Sequence, residues 1–486
     1  MDAYNSLRVT IRTVGLLCLG YGVTLLPPIL LSLAYDDGES VHFVLTLGLV
    51  WAIGLILYLP VGQSTADLRR KDGFIIVAAF WIVLGIIGSL PFVLGPHLNF
   101  VDAVFETVSG LTTTGATIIT GIDELPISIL YYRQQIQWLG GMGLVVLAVA
   151  IMPMLGIGGM RMYRAEIPGP LKDEKLAPRL THSVRTLWVI YVVLTAACAL
   201  AYWLAGMSIF DAIAHSFSTV STGGFSTHDA SLGYYKSVPV TLIACFFMLL
   251  GGINFSIHFR FRSTLNPLEY LRDLETRRFL LFVFSGFFIL TSVLWFTGEY
   301  ETLMESLVFG GFEVISVITS TGFGEADFSN WPLFLPVLLI FISFIGGCGG
   351  STAGGMKVMR IMLLYKQVRQ EVFVLLHPRS EYAVKIGSRV VSEFTRSGVW
   401  GFFSLYVVTF VVLMLAMMSI GVDQVTAFSA IATCMNNLGP GLGDVAYTFA
   451  SLSDAAKYIS AFAMLLGRLE IFTILVLLSP SFWRDM

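Results

Sequence analysis

The feature that most constrains the fold is a short motif that occurs four times between long apolar segments. Its clearest copy spans Phe210 to Phe225 (FDAIAHSFSTVSTGGF): an acidic residue, a short half-apolar helix and a glycine-containing turn. The other copies are 101–116 (VDAVFETVSGLTTTGA), 313–324 (EVISVITSTGFG) and 423–441 (DQVTAFSAIATCMNNLGPG). Each copy is too short to cross a membrane, whereas the flanking apolar runs of roughly 20 residues can cross ~30 Å of hydrocarbon. The pattern therefore predicts four re-entrant hairpins in a membrane protein.

Composition supports a membrane protein and argues against an enzyme. Hydrophobic residues make up 56% of the 486 residues and charged residues 13%, about half the charged fraction of soluble domains. The five cysteines have no CxxC spacing and the seven histidines form no HExxH pair, so neither a disulfide framework nor a zinc site is indicated. An intramembrane hydrolase would need paired catalytic residues in the spans, and the sequence has none. It also lacks a P-loop and a Rossmann fingerprint, so we expect this chain to bind no nucleotide and no nucleic acid.

The spacing of the hairpins predicts four repeats of about 100 residues. With Gly115, Gly223, Gly322 and Gly439 as marks, the intervals are 108, 99 and 117 residues. One long apolar segment precedes each hairpin and another follows it, and two more segments lead the chain, the first bent by Pro27-Pro28. We therefore predict an all-α integral membrane fold of ten spans around a potassium-channel-like pore. The predicted units are 1–66 for the two leading helices, and 67–165, 166–265, 266–376 and 377–486 for repeats one to four.

The distribution of basic residues predicts the orientation in the membrane. One set of loops contains 25 of the 29 lysines and arginines, and the opposite set contains three, Arg133, Lys236 and Lys457. The remaining one, Arg468, falls inside a span. Because an excess of Lys and Arg marks the cytoplasmic side, we expect both termini to be cytoplasmic and all four hairpins to enter from outside.

The hairpins have the chemistry of a cation filter. We expect Asp102, Asp211 and Asp423 to cap the short helices, and Thr302 or Glu305 to cap the third. Each helix then directs the negative end of its dipole at the membrane centre, and the carbonyls of the following turn can replace a cation's hydration water. One such turn would be an ordinary loop, but four in phase predict a filter. The predicted filter residues are Thr113, Thr114, Gly115, Ser221, Thr222, Gly223, Ser320, Thr321, Gly322, Asn437, Leu438 and Gly439.

A second glycine-rich segment, 345–357 (IGGCGGSTAGGMK), interrupts the span after the third hairpin. Each glycine costs a helix about 1 kcal/mol relative to alanine, so we predict a flexible loop below the filter, with close helix packing as the alternative. Arg468 occupies the place that Gly141 and Gly252 hold in other repeats, and we expect it to bond this loop and repel cations. Its alternatives are an ion pair with Glu470 or a structural carbonyl network. The predicted gating residues are Gly346, Gly347, Gly349, Gly350, Ser351, Thr352, Gly354, Gly355, Lys357 and Arg468.

Acidic residues leave two questions open. Those that follow the turns either concentrate cations at the outer mouth or are ordinary solvated loop charges: Asp123, Glu124, Glu325, Asp327 and Asp444. Glu106 and Glu313 lie nine residues before the first and third marker glycines. A proton relay through them would make the protein a potassium symporter coupled to protons or sodium, which is the alternative to a channel-like pore.

Several of these motifs resemble one known family. TTTGAT, STGGFST, TSTGFGEADFSNWP, NNLGPGLGDV, QWLGGMG and GGCGGSTAGGMK are similar to the TrkH family of potassium-translocating subunits, in the superfamily that includes the Ktr and fungal Trk transporters. The resemblance covers essentially the whole chain. It implies potassium uptake through the bacterial inner membrane by a homodimer with one pore per protomer, and it identifies the glycine-rich segment as the family's intramembrane gating loop.

The resemblance also implies a regulatory partner and a limit on selectivity. The partner is a cytosolic, TrkA-like ring of NAD- and nucleotide-binding subunits, which would dock on the basic cytoplasmic loops and respond to nucleotide. Filters of this family keep one glycine per repeat, which implies lower selectivity among monovalent cations than a potassium channel has. Leu438 departs from the Thr-Gly pattern because it has no hydroxyl group.

Overall fold

The computed structural model describes residues 2–59, 70–146, 176–380, 383–387 and 389–484, and helices dominate these ranges. The sheet within them is one antiparallel pair of short strands, Lys385–Ile386 and Arg389–Val390. The predicted helical membrane fold is therefore confirmed. The predicted unit boundaries near residues 66 and 165 lie outside the described residues, and the other boundaries remain predictions.

Two apolar segments precede the repeats, and the first is broken at its proline pair. It consists of helices Asp2–Val23 and Leu26–Tyr35, with Pro27 in the first turn of the second helix. Proline is tolerated there because its missing N–H would have no intrahelical partner. Helix Ser40–Tyr58 forms the second segment and packs against the first.

Four repeats follow, each with a long helix, a short helix, a turn and a second helix. The long helices are Arg70–Ile87, Leu176–Leu204, Leu274–Thr297 and Glu393–Ser419. The short helices, numbered one to four below, are Phe100–Leu111, Ile209–Val220, Leu303–Ile318 and Gln424–Asn436. The second helices are Ile127–Val146, Val238–Gly252, Leu335–Ser343 and Asp454–Arg468. The remaining α-helices in the described part of the chain are Leu90–Leu94, Phe255–Thr264, Leu268–Arg272, Val358–Leu376, Phe472–Leu478 and Pro480–Arg484.

The described helices provide fewer uninterrupted spans than the ten predicted. Six are long and apolar enough to cross a membrane, and two bent pairs raise the number to eight. Two of the predicted spans, those that follow the second and fourth hairpins, are these pairs, which bend by 101° and 113°. After short helix three, the glycine-rich segment interrupts the helix, as predicted. Helix Ile127–Val146 has a polar stretch near its middle, 133–137, which includes Arg133 and three glutamines.

The caps of the short helices differ in part from the prediction. Asp423 caps short helix four, and Thr302 forms a capping box with Glu305 at short helix three, as predicted. The caps of short helices one and two are Asn99 and Ser208, whose side chains accept from the backbone N–H groups of Asp102 and Asp211. These two aspartates are therefore third helical residues, where a carboxylate interacts favourably with the positive end of the helix dipole.

Candidate ion pathway

The four glycine turns lie against one another in a closed ring. We define the Gly turns as residues 113–115, 222–224, 320–322 and 437–439. In each turn, a Cβ atom added to the glycine would collide with a carbonyl oxygen of the next repeat. The distances are 2.1 Å from Gly115 to Gly223, 1.9 Å from Gly224 to Thr321, 1.9 Å from Gly322 to Leu438 and 2.7 Å from Gly439 to Thr114. Only glycine permits this approach, and the ring brings together predicted filter residues of all four repeats.

The backbone conformation corrects the predicted alignment of the second turn by one residue. Positive φ occurs at two residues of each turn: Thr113 and Gly115, Thr222 and Gly224, Ser320 and Gly322, and Asn437 and Gly439. The counterpart of the other marker glycines is therefore Gly224, with φ +79°, and not Gly223. The predicted triplet began one residue early, at Ser221, because either of two adjacent glycines satisfied the sequence pattern. Gly223 still belongs to the ring, since its carbonyl faces Gly115.

Hydroxyl groups stabilise the first and third turns in the same way. Thr112 Oγ1 lies 2.8 Å from Thr114 Oγ1, and Thr319 Oγ1 lies 2.8 Å from Thr321 Oγ1. At the corresponding position, the second turn has a glycine and the fourth has Leu438. The missing hydroxyl that the sequence indicated at Leu438 is thus a missing hydrogen bond in the structure.

Behind each turn, a polar side chain of the short helix holds the chain segment that leaves the turn. Glu106 accepts from Ile118 N–H at 3.0 Å, and Glu313 accepts from Glu325 N–H at 3.1 Å. In repeat two this position is His215, whose Nε2 is hydrogen-bonded to Ser226 Oγ at 3.0 Å. In repeat four, Ser429 Oγ accepts from Leu442 N–H at 2.9 Å. With Gly224 as the marker, His215 lies nine residues before its glycine, as Glu106 and Glu313 do, so the correct alignment would have found it.

The second helix of repeat one supports the turns of two repeats. Arg133 lies 2.8 Å from the carboxylate of Glu106, with both side chains essentially unexposed, and its NH1 donates to Ser226 O at 3.0 Å. Gln137 Nε2 donates to Gly223 O at 2.6 Å. The charge pattern predicts Arg133 to be an outer loop charge, whereas the structure places it within helix Ile127–Val146. A buried arginine is stabilised here because a carboxylate and a carbonyl both bind it.

Residues 344–357 form an irregular loop directly beside the Gly turns. Gly354 N–H donates to Ser320 Oγ, and Gly355 N–H donates to Asn436 O at 3.1 Å. Thr222 Oγ1 donates to Thr352 Oγ1 at 3.2 Å. The predicted loop is therefore present, and it contacts the second, third and fourth repeats at the level of the turns.

The glycines of this loop permit close backbone contacts, as those of the turns do. A Cβ atom on Gly354 would lie 2.1 Å from Asn436 O, and one on Gly346 would lie 2.2 Å from Gly354 O. Gly346, Gly350 and Gly355 have positive φ. Side chains at these positions would push the loop away from the turns. We refer to residues 344–357 as the glycine loop.

Arg468 lies at the bend after helix Asp454–Arg468 and is 2% exposed. Its NH1 donates to Thr352 O in the glycine loop at 3.0 Å, and its NH2 donates to Gly140 O at 3.3 Å. Among the described residues, its Nε has no hydrogen-bond partner. Glu470, the alternative ion-pair partner considered above, instead pairs with Arg360 at 2.5 Å. Arg468 thus binds one carbonyl of the loop, which agrees with the expected bond, and one carbonyl of helix Ile127–Val146.

Three cationic side chains, Lys357, Arg360 and Arg468, border a small cavity beneath the fourth turn, and Arg360 is paired there with Glu470. The cavity has a volume of about 20 Å³, and Lys357, Arg468 and Asn437 are among the residues that line it. Lys357 Nζ donates to Ala353 O within the loop. Positive charge at this place raises the energy of any cation that leaves the turns on this side.

Of the acidic residues at the predicted outer mouth, Asp123 is paired with a histidine, whereas Glu124 and Asp444 are exposed. His228 Nδ1 lies 2.5 Å from Asp123, and its Nε2 lies 3.7 Å from Asp211. Burial alone would lower the pKa of His228, but the nearby carboxylate of Asp211 and the hydrogen bond with Asp123 raise the pKa above its usual value. The same hydrogen bond lowers the pKa of Asp123. This contact joins the outer segment of repeat one to that of repeat two.

Comparisons with known proteins place the chain in one family. The TrkH family model, described as a cation transport protein, matches residues 40–484. The Trk system potassium uptake protein TrkH of Halomonas elongata is 54% identical over 482 residues, which cover 99% of this chain and 100% of that protein. Its counterpart in Escherichia coli K12 is 49% identical over 480 residues, 98% of this chain and 99% of that protein.

A solved structure agrees with this relationship. The crystal structure of the potassium transporter TrkH from Vibrio parahaemolyticus matches with a TM-score of 0.92 and 48% identity, covering 98% of this chain and 100% of that one. The chain therefore belongs to the TrkH family of cation transport proteins, which are membrane transporters and not enzymes.

Proposed function

We propose that the protein takes up potassium ions through a channel-like pore whose filter is the ring of Gly turns. The observation that supports this most directly is that all four glycines face carbonyl oxygens of neighbouring repeats. Backbone carbonyls at such a constriction replace the hydration shell of a monovalent cation. The short helices end at the turns, so the negative ends of four dipoles favour a cation there. The relatives named above, which are potassium uptake proteins, make potassium the expected ion.

The four turns do not contribute equally to selection. Turn four has no hydroxyl at Leu438, and the Gly223 carbonyl of turn two already accepts a hydrogen bond from Gln137. A ring with two modified positions holds its carbonyls less uniformly than a ring of four identical turns. We therefore expect potassium to be preferred over sodium by a smaller factor than in a filter with fourfold symmetry.

The glycine loop and Arg468 form the gate in this proposal. The loop is in direct contact with three of the repeats, and Arg468 binds one of its carbonyls. The closed state is stabilised both by these hydrogen bonds and by the repulsion between the guanidinium and a cation in the filter. Opening then requires that the loop move away from the turns and that Arg468 release Thr352.

The alternative, a carrier coupled to protons or sodium, has less support. A relay carboxylate needs to exchange its proton with a neighbouring group or water. Glu106 instead accepts hydrogen bonds from Arg133, Thr117 and Ile118 N–H, with 0% exposure. Glu313 accepts from two backbone N–H groups, those of Glu325 and Ala326. Both carboxylates therefore stabilise the segments that follow the Gly turns.

We further propose the setting of this pore. The protein would be a homodimer in the bacterial inner membrane, with both termini cytoplasmic and a TrkA-like, nucleotide-binding ring docked on the cytoplasmic side. Segment 260–278, one of the basic loops, exposes charged groups there, with the side chains of Arg260 and Arg272 46% and 64% exposed. The partner would respond to nucleotide, and the glycine loop would be the part of this chain that moves.

Tracer rubidium uptake into liposomes that contain the purified full chain tests this function. Uptake that follows an outward potassium gradient, without any imposed proton or sodium gradient, is the expected result. The same uptake measured with competing sodium and lithium gives the preference of the filter. Uptake that appears only when a proton or sodium gradient is imposed would overturn the pore in favour of the coupled carrier, and Glu106 and Glu313 would be the next residues to change.

A further inference from the structure

We propose that Glu275 is a positioning residue that holds the glycine loop in its closed arrangement, a proposal that rests on the gating function proposed above. Glu275 lies in the first turn of helix Leu274–Thr297 and is 3% exposed. Its Oε1 accepts hydrogen bonds from Gly349 N–H at 2.8 Å and from Met359 N–H at 3.1 Å. One carboxylate oxygen thus binds both the middle of the loop and the helix that follows it.

The hydrogen bonds of Glu275 show that it does more than cap its own helix. A carboxylate with so little exposure is costly unless its oxygens accept strong hydrogen bonds. Both bonds go to backbone N–H groups of another segment, 74 and 84 residues further along the chain. Removing the carboxylate would leave one N–H group of the loop and one of the following helix without this acceptor, while the loop's bonds to the turns would remain.

The same region links the loop to the protein surface. Phe255, the first residue of helix Phe255–Thr264, donates its N–H to Gly350 O at 3.0 Å, directly beside the Gly349 contact. Arg260 of that helix lies 3.9 Å from Asp273, which caps the helix that carries Glu275. A displacement of this surface segment would therefore release Gly349 and Gly350 together. Glu275 is the side chain through which such a displacement reaches the loop.

The experiment measures rubidium flux through the full chain in liposomes without its partner. Glu275→Ala should raise the basal flux about tenfold, because the closed state loses two charge-assisted hydrogen bonds. Glu275→Gln should remain within about twofold of the unsubstituted protein, since an amide oxygen can accept both bonds. Glu269→Ala is the matched control, because Glu269 pairs with Arg272 at the surface and should leave the flux unchanged. If the alanine variant fails to fold, Glu275→Asp replaces it in the test. This variant keeps the charge on a shorter side chain and should raise the flux by an intermediate amount.

A second measurement follows the loop itself. Cys348 is 0% exposed and adjacent to Gly349, so its reaction with a membrane-permeant thiol reagent reports release of the loop. With the other four cysteines replaced by serine, Glu275→Ala should accelerate this reaction and Glu275→Gln should not. Unchanged flux and unchanged Cys348 labelling in Glu275→Ala, in a background that conducts rubidium, would overturn the proposal. Absence of rubidium flux in the unsubstituted protein, in Glu275→Ala and in Arg468→Ala alike would instead refute the proposed function, while the labelling would still decide whether Glu275 holds the loop.

Discussion

The Gly turns and the glycine loop both contain glycine because the backbone makes close contacts there, but the contacts are arranged differently. Each turn occurs once per repeat, and its glycine faces a carbonyl of the neighbouring repeat, so the four contacts close on themselves. The loop occurs once, and its glycines contact unrelated places, with Gly354 against Asn436 and Gly347 against Gly252. A closed set of identical contacts favours one rigid geometry. A set of unlike contacts in one segment can be lost without disturbing the ring.

The surroundings of the two regions reinforce this difference. The turns are supported from behind by side chains such as Glu106 and His215 and by the buried Arg133, and all of these lie within the frame of helices. The loop is held mainly by backbone hydrogen bonds and by the side chains of Arg468 and Glu275. Ion selection and its control are therefore located in parts of the molecule with different constraints, and substitutions should separate them.

The largest expected effect comes from breaking the ring. Gly322→Ala should reduce rubidium uptake roughly a hundredfold, because left-handed strain of ~1–3 kcal/mol adds to a collision with the Leu438 carbonyl. A Cβ at this position would lie 1.9 Å from that oxygen, with φ at +79°. Uptake and gel-filtration behaviour are measured together, so that loss of transport is distinguished from loss of folding.

Gly324→Ala is the matched control for this variant. Gly324 lies two residues further on, and a Cβ atom there would have no described atom within 4 Å. Its uptake should equal that of the unsubstituted protein. If Gly322→Ala also transported normally, the ring of Gly turns could not be the filter.

The next effect in size concerns the loop. Arg468→Ala should raise basal rubidium flux about tenfold in the absence of the partner, since it removes both a cation-repelling charge and the bond to Thr352. Arg272→Ala, which removes an exposed arginine, should leave the flux unchanged. Equal flux for Arg468→Ala and the unsubstituted protein, with and without the partner, would exclude Arg468 from the gate.

A smaller effect tests the inequality among the turns. Leu438→Thr supplies the hydroxyl that turns one and three have, and it should raise the preference for potassium over sodium about two- to threefold. Competition of sodium with rubidium uptake measures this preference. Leu438→Val has nearly the same shape without a hydroxyl, so a similar gain in the valine variant would attribute the change to side-chain size.

The smallest effect is a pH dependence at the outer contact between repeats one and two. Because the pKa of His228 is raised in the folded protein, the contact stabilises fully below the unfolded value of 6.5 and is lost as pH rises through the raised pKa. The unfolding temperature should therefore fall by about a degree or two across this range. His228→Gln should remove that part of the pH dependence. An unchanged pH profile in this variant would show that the contact adds no stability.

Much of the architecture was predictable because glycine at a close backbone contact leaves a direct trace in the sequence. The four turns and the loop were found in this way, and Arg468 was found because a charge replaced a small residue. The alignment of the second turn failed where this trace was ambiguous, at Gly223 and Gly224. The bends after Gly252 and Arg468 were missed because apolar composition continues through both of them.

Residues that act through distant partners could not be predicted. Arg133 looked like a loop charge because its partner Glu106 lies 27 residues away, across the first turn. Nothing in the sequence distinguishes Glu275 from other acidic residues, since its contact with Gly349 spans 74 residues. For both, the sequence gives the residue type, but only the three-dimensional packing of the repeats identifies the group that it binds.

The presence of Arg468 in one repeat only has a consequence for how such a molecule can change over time. In an assembly of four identical chains, every substitution appears four times around the axis, and four guanidinium groups would crowd and repel one another. Four unequal quarters within one polypeptide allow a lone positive group to stand to one side of the conduction path. Fusion of the quarters thus permits charges and side chains that strict symmetry would forbid, and each quarter can specialise without forcing the same alteration on the other three.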